Sequence, residues 1–427
     1  MPRGRALLAL LPCLLFWACP APRRPTPVVG ATTIEIGRDG ASLRGIASDG
    51  TQTFAALTIG ELTAITARTG SATAWSVTLP GQGGALAAHA DTVYVALGGK
   101  TAAKLVLRGD PGAVVVALDA KTGQQRFAIA IDASDWSQIT TLAATKDGVV
   151  VGGSFAGTLR AGSKTVSTAG KADGFVARID TKGETSWLIR VGGVFADAVQ
   201  GVATSGDRIA IAGTFAATAE LLGEPLKAYD DKTPRADGFV AMLDAKGTRV
   251  WSQTFGGKLD DSVVGVAIDG AGRVAVAANA RSVIKIGSTE LVTMGDGDGA
   301  VAWWTKDGLP GPAVQLGGAE FDGVRTIVAV GNRVVVGGFF SGTIRLDQQR
   351  LTAAGGDDAY LAAFENGVPA GLWLVTGEGR EEVAALGAMP GGFVAGITHT
   401  ARAKVDDAEL PAPKDPLSGA ALVVRPL

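Results

Sequence analysis

Short apolar runs separated by turn residues fill most of the chain. Residues 208–213 and 333–338 are two such runs, residues 239–243 form a third, and residues 250–255 form a fourth. Between the last two lies the turn 244–247, which opens with Asp and closes with Gly. An Asp side chain accepts hydrogen bonds from the backbone ahead of it, and Gly tolerates positive φ, so this segment predicts a β-hairpin. The runs lack the 3.6-residue period of a helix, and the pattern therefore indicates β-strands.

These runs recur roughly every 60 residues between Ile131 and Gly379. The apolar segment 199–215 is repeated at 263–279 and 324–340, and the segment 172–187 is repeated at 236–251. A fixed period of this length is the signature of a repeat architecture, in which neighbouring units share one structure. Each unit contains four short predicted strands, which is typical of a propeller blade.

Seven units can be counted. Their predicted bounds are 41–83, 84–131, 132–193, 194–257, 258–318, 319–379 and 380–427. The last unit ends after its third strand, at residues 420–425, whereas an extra apolar strand, residues 33–36, precedes the first unit. We therefore predict an all-β, seven-bladed β-propeller of four-stranded antiparallel blades. It is closed by the N-terminal strand, which completes the last blade by pairing near residues 422–424 and so removes an exposed edge. Residues 32–427 would form this single domain.

The first 18 residues have the pattern of a secretory signal. Arg3 and Arg5 precede the apolar run 6–17, which is too short to span a bilayer. The end of the run, Ala18-Cys19, resembles the bacterial lipoprotein signal, in which the Cys is lipidated and becomes the N-terminus. Phe16 departs from this pattern, which usually has Leu three residues before the Cys, so an ordinary signal peptide is the alternative. The Pro-rich segment that follows is a semi-rigid tether within residues 19–31.

The lipoprotein resemblance implies an outer-membrane location, on either the periplasmic or the cell-surface face. Cys13 and Cys19 are the two cysteines of the chain, so removal of the signal would leave no pair for a disulfide. Basic and acidic residues nearly balance, at 39 and 41. That balance argues against nucleic acid as a partner, because phosphate binding needs a basic face.

The repeated text resembles a known bacterial repeat. A Gly-Gly pair, an acidic residue, Gly-Val-Ala and an Asp-Gly-Phe-Val-Ala segment that ends in Trp recur over residues 132–379. This pattern resembles the SBBP-type β-propeller repeat, which implies an exported or surface protein. Residues 117–124 are similar to repeats of the pyrroloquinoline-quinone type, a group that includes a scaffold lipoprotein of the outer-membrane barrel-assembly machinery. The resemblance implies a fold and a location more than an activity.

Residues suited to catalysis are sparse and scattered. His89 and His399 fall in different units at dissimilar positions, which favours structural roles over acid–base catalysis. Residues 294–299 have a calcium-loop character, but Asp298 aligns with Asp173 and other aspartates at the turn into the third strand, which favours a turn. We therefore predict no cofactor, with calcium as the alternative. The recurring Trp75, Trp187, Trp251 and Trp373 indicate packing between blades more than the stacking of a quinone.

One acidic position recurs just before the first strand of four successive units. Its members are Asp197, Asp261, Asp322 and Glu381. We predict that they lie on one rim near the channel, where an acidic patch would recruit cations or a basic partner. The alternative is that each acid caps a turn.

Two classes of function fit these observations. The first is a lipid-anchored, non-enzymatic binding or scaffold propeller of the bacterial envelope, with an envelope protein or glycan as its partner. The second is a propeller enzyme of the quinone- or sugar-dependent type. The scarcity of acid–base residues favours the first, although propellers support both roles.

Overall fold

The described residues form an all-β, seven-bladed propeller. The computed structural model describes residues 32–35, 41–106, 112–230, 232–346, 349–405, 408–410, 412–413 and 419–427. The predicted signal segment 1–18 and tether 19–31 lie outside these residues. Seven antiparallel sheets surround a central channel, and the first strand of each sheet contacts the first strands of both neighbouring sheets. The predicted seven-bladed propeller is thus confirmed.

The strands follow one another along the chain in blade order. The N-terminal strand and the strands of blades 1 and 2 are β1 (Thr32–Glu35), β2 (Ser42–Ser48), β3 (Thr53–Ile59), β4 (Leu62–Thr69), β5 (Ala72–Pro80), β6 (Gln82–His89), β7 (Thr92–Gly98), β8 (Ala113–Asp119) and β9 (Gln125–Ala133). A 3₁₀ helix, Lys100–Leu105, follows β7. The next two repeats contribute β10 (Trp136–Thr145), β11 (Gly148–Ala156), β12 (Thr158–Ala161), β13 (Lys164–Ser167), β14 (Asp173–Asp180), β15 (Thr185–Gly193), β16 (Ala198–Ser205), β17 (Arg208–Ala216), β18 (Thr218–Leu221), β19 (Glu224–Lys227), β20 (Ala236–Asp244) and β21 (Arg249–Gly257).

The remaining three repeats complete the ring. Their strands are β22 (Ser262–Ile268), β23 (Val274–Ala280), β24 (Val283–Ile286), β25 (Thr289–Val292), β26 (Asp298–Trp304), β27 (Pro310–Gly318), β28 (Gly323–Val330), β29 (Arg333–Phe340), β30 (Thr343–Leu346), β31 (Gln349–Thr352), β32 (Asp358–Glu365), β33 (Val368–Gly377), β34 (Glu381–Met389), β35 (Gly392–His399), β36 (Ala403–Val405), β37 (Ala408–Leu410) and β38 (Gly419–Pro426). No helix among the described residues is both long enough and apolar enough to cross a membrane.

Blades 2 to 6 contain six strands, two more than the sequence pattern predicts. A short hairpin between the second and third strands of repeats 3 to 7 turns back and joins the outer edge of the preceding blade. In blade 2, β12 pairs with β9, so that Leu159 and Ala161 are buried while Arg160 faces solvent. The hairpin covers the edge of the preceding sheet, which would otherwise expose unpaired backbone groups. Repeats 3 to 7 therefore each contribute strands to two blades.

The ring closes as the sequence predicts. Strand β1 pairs antiparallel with β38, and Ile34 lies opposite Leu422. The strand covers Thr32–Glu35, one residue earlier than expected. The last blade therefore joins the two ends of the chain in the order β1, β38, β35, β34.

The recurring tryptophans pack between blades. The indole N–H of Trp75 donates to the carbonyl of Ala120 at 2.8 Å, and that of Trp251 donates to Lys306 at 3.0 Å, in each case in the next blade. The indole ring of Trp251 covers Gly308 in a hairpin turn of the next blade, where a Cβ would meet the ring at 2.7 Å. Gly308 has φ of +85°, so this turn needs glycine for its backbone as well as for its contact. These contacts confirm the packing interpretation.

Candidate functional site

The four acidic residues of the predicted rim are buried. Asp197, Asp261, Asp322 and Glu381 expose between 0 and 3% of their surfaces. They lie at the end of the ring where first strands begin, as expected, but they do not form an accessible acidic patch. Their burial differs from the acidic rim expected from the sequence, and the assignment of these four residues as a binding site stays a prediction.

Each of these acids lies near a second carboxylate of the preceding blade, beside a Gly-Gly pair in three cases and beside Gly377 in the case of Glu381. The second set stands at the start of the third strands and comprises Asp173, Asp237, Asp298 and Asp358, which expose 0 to 1% of their surfaces. Glycine is required at this point because a Cβ on Gly256 would meet Asp237 Oδ1 at 2.0 Å, and a Cβ on Gly317 would meet Asp298 Oδ1 at 2.2 Å. The repeated Gly-Gly motif thus makes room for three of the four buried carboxylate pairs. Each pair joins two adjacent blades.

Two of the four acids cap backbone groups. Asp197 accepts hydrogen bonds from the N–H groups of Gly193 at 2.7 Å and Ala216 at 3.0 Å. Asp322 accepts equivalent bonds from Gly318 at 2.6 Å and Ser341 at 3.0 Å. These bonds tie the loop before the first strand to the end of the second strand. The geometry of both residues agrees with the turn-capping alternative.

The other two acids lack this support. Among the described residues, no group forms a hydrogen bond of normal geometry with either carboxylate oxygen of Asp261 or Glu381. Burial raises the pKa of Asp261 to about 7, and the adjacent Asp237 carboxylate adds to the increase. Burial likewise raises the pKa of Glu381 to about 8, with a further contribution from Asp358. For Asp197 and Asp322, whose caps oppose the effect of burial, the pKa rises only to about 6.

The residue across the ladder from the third strand differs between these blades. In blade 3 this residue is Arg190, which forms a 2.7 Å ion pair with Asp173. In blade 5 it is Gln315, whose side chain donates to Asp298. In blades 4 and 6 the equivalent positions hold Thr254 and Leu374. These two blades supply Asp237 and Asp358, the neighbours of the acids with the highest pKa, Asp261 and Glu381.

A cavity of about 680 Å³ opens over blades 3 to 6, at the mouth of the channel. Trp136 and Phe321 line it with 45% and 42% of their surfaces exposed, and the charged side chains of Arg281 and Arg325 also line it. Asp197 and Asp261 contribute to its wall. Phe321 directly precedes the buried Asp322, and Trp136 precedes Ser137 at the equivalent position of blade 3. Blades 4 and 5 have Ala196 and Asp260 at this position, so its side chain varies between the repeats.

Other large apolar side chains lie exposed on the same face. They belong to the loops before the first and third strands, namely Val194, Tyr229, Leu259 and Met294, and they expose 43 to 68% of their surfaces. Aromatic residues, Met and Arg are the residue types enriched in protein interfaces. The mouth therefore has the composition of an interaction surface.

Arg325, on the wall of this mouth, contacts an aromatic ring and a carboxylate. Its guanidinium lies 4.7 Å from the centre of the Phe339 ring, which in turn contacts Phe321 at 5.8 Å between ring centres. Its Nε donates to Glu382 at 3.2 Å. The stacking and the ion pair restrict the orientations of this guanidinium, which lines the cavity.

The remaining candidates lie apart from this mouth. His89 is exposed at the end of β6, on the opposite face, whereas His399 is buried with Nδ1 2.9 Å from the Ala401 carbonyl oxygen. The stretch 294–299 adopts the turn, since Asp298 accepts from the Met294 N–H at 2.7 Å. Within the part of the chain that the structure describes, no group of three or more His, Cys, Asp or Glu side chains is placed to hold a metal ion. Cys19 lies outside the described residues.

The chain matches no protein-family model, and no curated protein matches it. Solved structures that are similar include BamB from Moraxella catarrhalis, at 12% identity over 89% of this chain and 84% of that one, with a TM-score of 0.42. A quinohemoprotein alcohol dehydrogenase from Pseudomonas putida HK5 is 11% identical over 92% of this chain and 75% of that one, with a TM-score of 0.44. The WD40 domain of Toxoplasma gondii coronin is 10% identical over 94% and 88%, with a TM-score of 0.45. These likenesses concern the fold alone, which the order of strands in the seven sheets establishes independently.

Proposed function

We propose that the protein is a non-enzymatic binding propeller of the bacterial envelope, which docks a protein partner at the mouth formed by blades 3 to 6. The observation that carries the proposal is the 680 Å³ cavity with exposed Trp136 and Phe321 on its wall. Exposed aromatic side chains beside a cavity gain free energy when a partner covers them, and such residues dominate binding energy in protein interfaces.

A protein partner fits this surface better than a glycan does. The apolar area extends beyond the two aromatic rings to Val194, Leu259 and Met294, which are aliphatic or flexible side chains. A sugar ring stacks on an aromatic face but has little apolar surface to cover such side chains. The apolar side chains of a protein partner can bury them. A glycan remains an outcome of the test.

Docking at the mouth can be tested by site-specific photo-crosslinking. A photoreactive amino acid replaces Phe321 or, separately, Trp136, and a third variant carries it at Val368. Val368 is 63% exposed on the opposite face, at the start of β33, and serves as the matched control. We expect one envelope protein, identified by mass spectrometry, to be captured from the two mouth positions and not from Val368. Equal capture from all three positions, or capture of glycan alone, would contradict the proposal.

Attachment to the outer membrane by a lipid on Cys19 is the second part of the proposal. It rests on the apolar run that ends at Ala18-Cys19 and on the Pro-rich tether after it. Cys19→Ala should move the protein from the membrane fraction to the soluble fraction. Pro20, rather than Asp, follows the Cys, and we expect the protein to reach the outer membrane. An intact mass that corresponds to an unmodified chain beginning elsewhere would reject the anchor.

A further inference from the structure

The channel behind the mouth forms a second cavity, of about 490 Å³. The first strands of all seven blades line it, and Gln200 and Arg325 line both this cavity and the mouth. A ligand that covers the mouth can therefore extend a group into the channel past these two side chains.

A β-bulge in each first strand determines what the channel displays. The ladder of blade 1 passes from Leu43 to Gly45 and omits Arg44, and the ladder of blade 6 passes from Val324 to Thr326 and omits Arg325. A bulge leaves the extra residue unpaired and redirects its side chain. At the same position blades 3, 4, 5 and 7 have Thr140, Gln200, Val264 and Ala384, all of which line the cavity.

The charge of this cavity has one sign. Of the described residues that line it, Arg44 and Arg325 are the ones with ionisable side chains. The Nε of Arg325 forms an ion pair with Glu382. Among the described residues, no carboxylate forms an ion pair with Arg44. Blades 1 and 6 flank blade 7, so both arginines lie on the same side of the channel. Low-dielectric walls with charge of one sign concentrate the field on an incoming counter-ion.

We propose that the channel accepts an acidic side chain of the protein partner, whose carboxylate lies between Arg44 and Arg325. Guanidinium groups bind carboxylates through paired, charge-assisted hydrogen bonds, which gives the insertion both strength and orientation. The Thr140 and Gln200 side chains add polar contacts along the path. This inference rests on the proposed docking of a protein at the mouth and specifies the chemistry of the segment that enters.

The test uses an end-capped, fluorescein-labelled hexaglutamate peptide and the full chain, with binding followed by fluorescence anisotropy. Arg44→Gln together with Arg325→Gln should weaken binding at least tenfold and reduce its dependence on salt. Arg44→Gln alone should weaken it several-fold. That residue is exposed, so this variant retains the fold even if the loss of Arg325 from its stack on Phe339 disturbs the mouth. Arg160→Gln, an exposed arginine on the outer hairpin, is the control and should bind as the native chain does.

Equal binding by the native chain and the double variant would overturn the proposal, as would an equal loss in the Arg160 control. Binding of tetragalacturonate but not of hexaglutamate through the same arginines would replace the acidic peptide with an acidic glycan and so also reject it. Crosslinking from Phe321 separates this proposal from the function on which it rests. An unchanged yield in the double variant rejects the acidic anchor alone, whereas absence of any specific capture in the native chain rejects docking at the mouth.

Discussion

At the residue scale, the notable property is the burial of carboxylates in pairs. A buried carboxylate that lacks donors is stabilised in its protonated form, because the protein interior solvates the charge poorly. Asp197 and Asp322 differ from Asp261 and Glu381 in their backbone donors and not in their depth. The acids at this one repeat position therefore differ in pKa between successive blades.

Glu381 should make the protein less stable as the pH rises. Its pKa is about 8 in the folded protein against an ordinary value of 4.5. A pKa raised by folding gives stability that is complete below about pH 4.5 and is lost as the pH rises to about 8. Glu381→Gln resembles the protonated side chain. It should match the native chain near pH 5 and exceed its free energy of unfolding by about 1–3 kcal/mol above pH 8, since one pKa unit corresponds to about 1.4 kcal/mol.

Urea unfolding at pH 5, 7 and 8.5 measures this difference. Glu378→Gln serves as the control, because Glu378 is an exposed acid three residues earlier in the chain. A Glu381→Gln variant that follows the native pH profile in parallel would show that the buried pair does not titrate as inferred.

At the element scale, the outer hairpins and the N-terminal strand share one role. Both complete the edge of a sheet whose other strands come from elsewhere in the chain. The hairpins such as β12 and β13 cover five blades, while β1 completes the seventh beside β38. Each of these pairings protects an edge that would otherwise remain open.

Removal of β1 should destabilise the ring. Deletion of residues 20–37 should lower the free energy of unfolding by several kcal/mol, because a ladder of four paired residues and its packing are lost. Deletion of residues 20–31 keeps β1 and is the matched control. Thermal unfolding of the two variants should differ clearly. Equal melting temperatures would mean that β1 contributes little to closure.

At the scale of the whole molecule, the two ends of the channel differ. The end where first strands begin carries the mouth cavity, its aromatic side chains and the path to Arg44 and Arg325. The buried carboxylate pairs lie between successive blades from blade 3 to blade 7, and Asp322 of one pair caps backbone groups beside Phe321. The repeated loops and the variable aromatic residues Trp136 and Phe321 together form the binding surface that we propose.

The pattern along the chain was enough to predict the number of blades, their hairpin turns and the closing strand. Asp-x-x-Gly turns depend on local hydrogen bonds, and the alternation of apolar and polar residues depends on neighbours along one strand. Both patterns can therefore be recognised in short sequence segments. The alignment of Asp197, Asp261, Asp322 and Glu381 was likewise visible, and so was their place at one end of the ring.

The tertiary structure alone decided the burial of those acids, the six-stranded blades and the channel arginines. A short segment such as β12 gains its partner from the preceding repeat, and nothing in its own residues specifies that edge. Three of the acids lie where the Gly-Gly pair of one strand leaves space beside an aspartate of another, and Glu381 lies where Gly377 leaves space. Arg44 and Arg325 share a channel because bulges in separate blades direct them to the axis. Each of these outcomes depends on contacts between residues distant in sequence, where the local pattern carries no information about depth or direction.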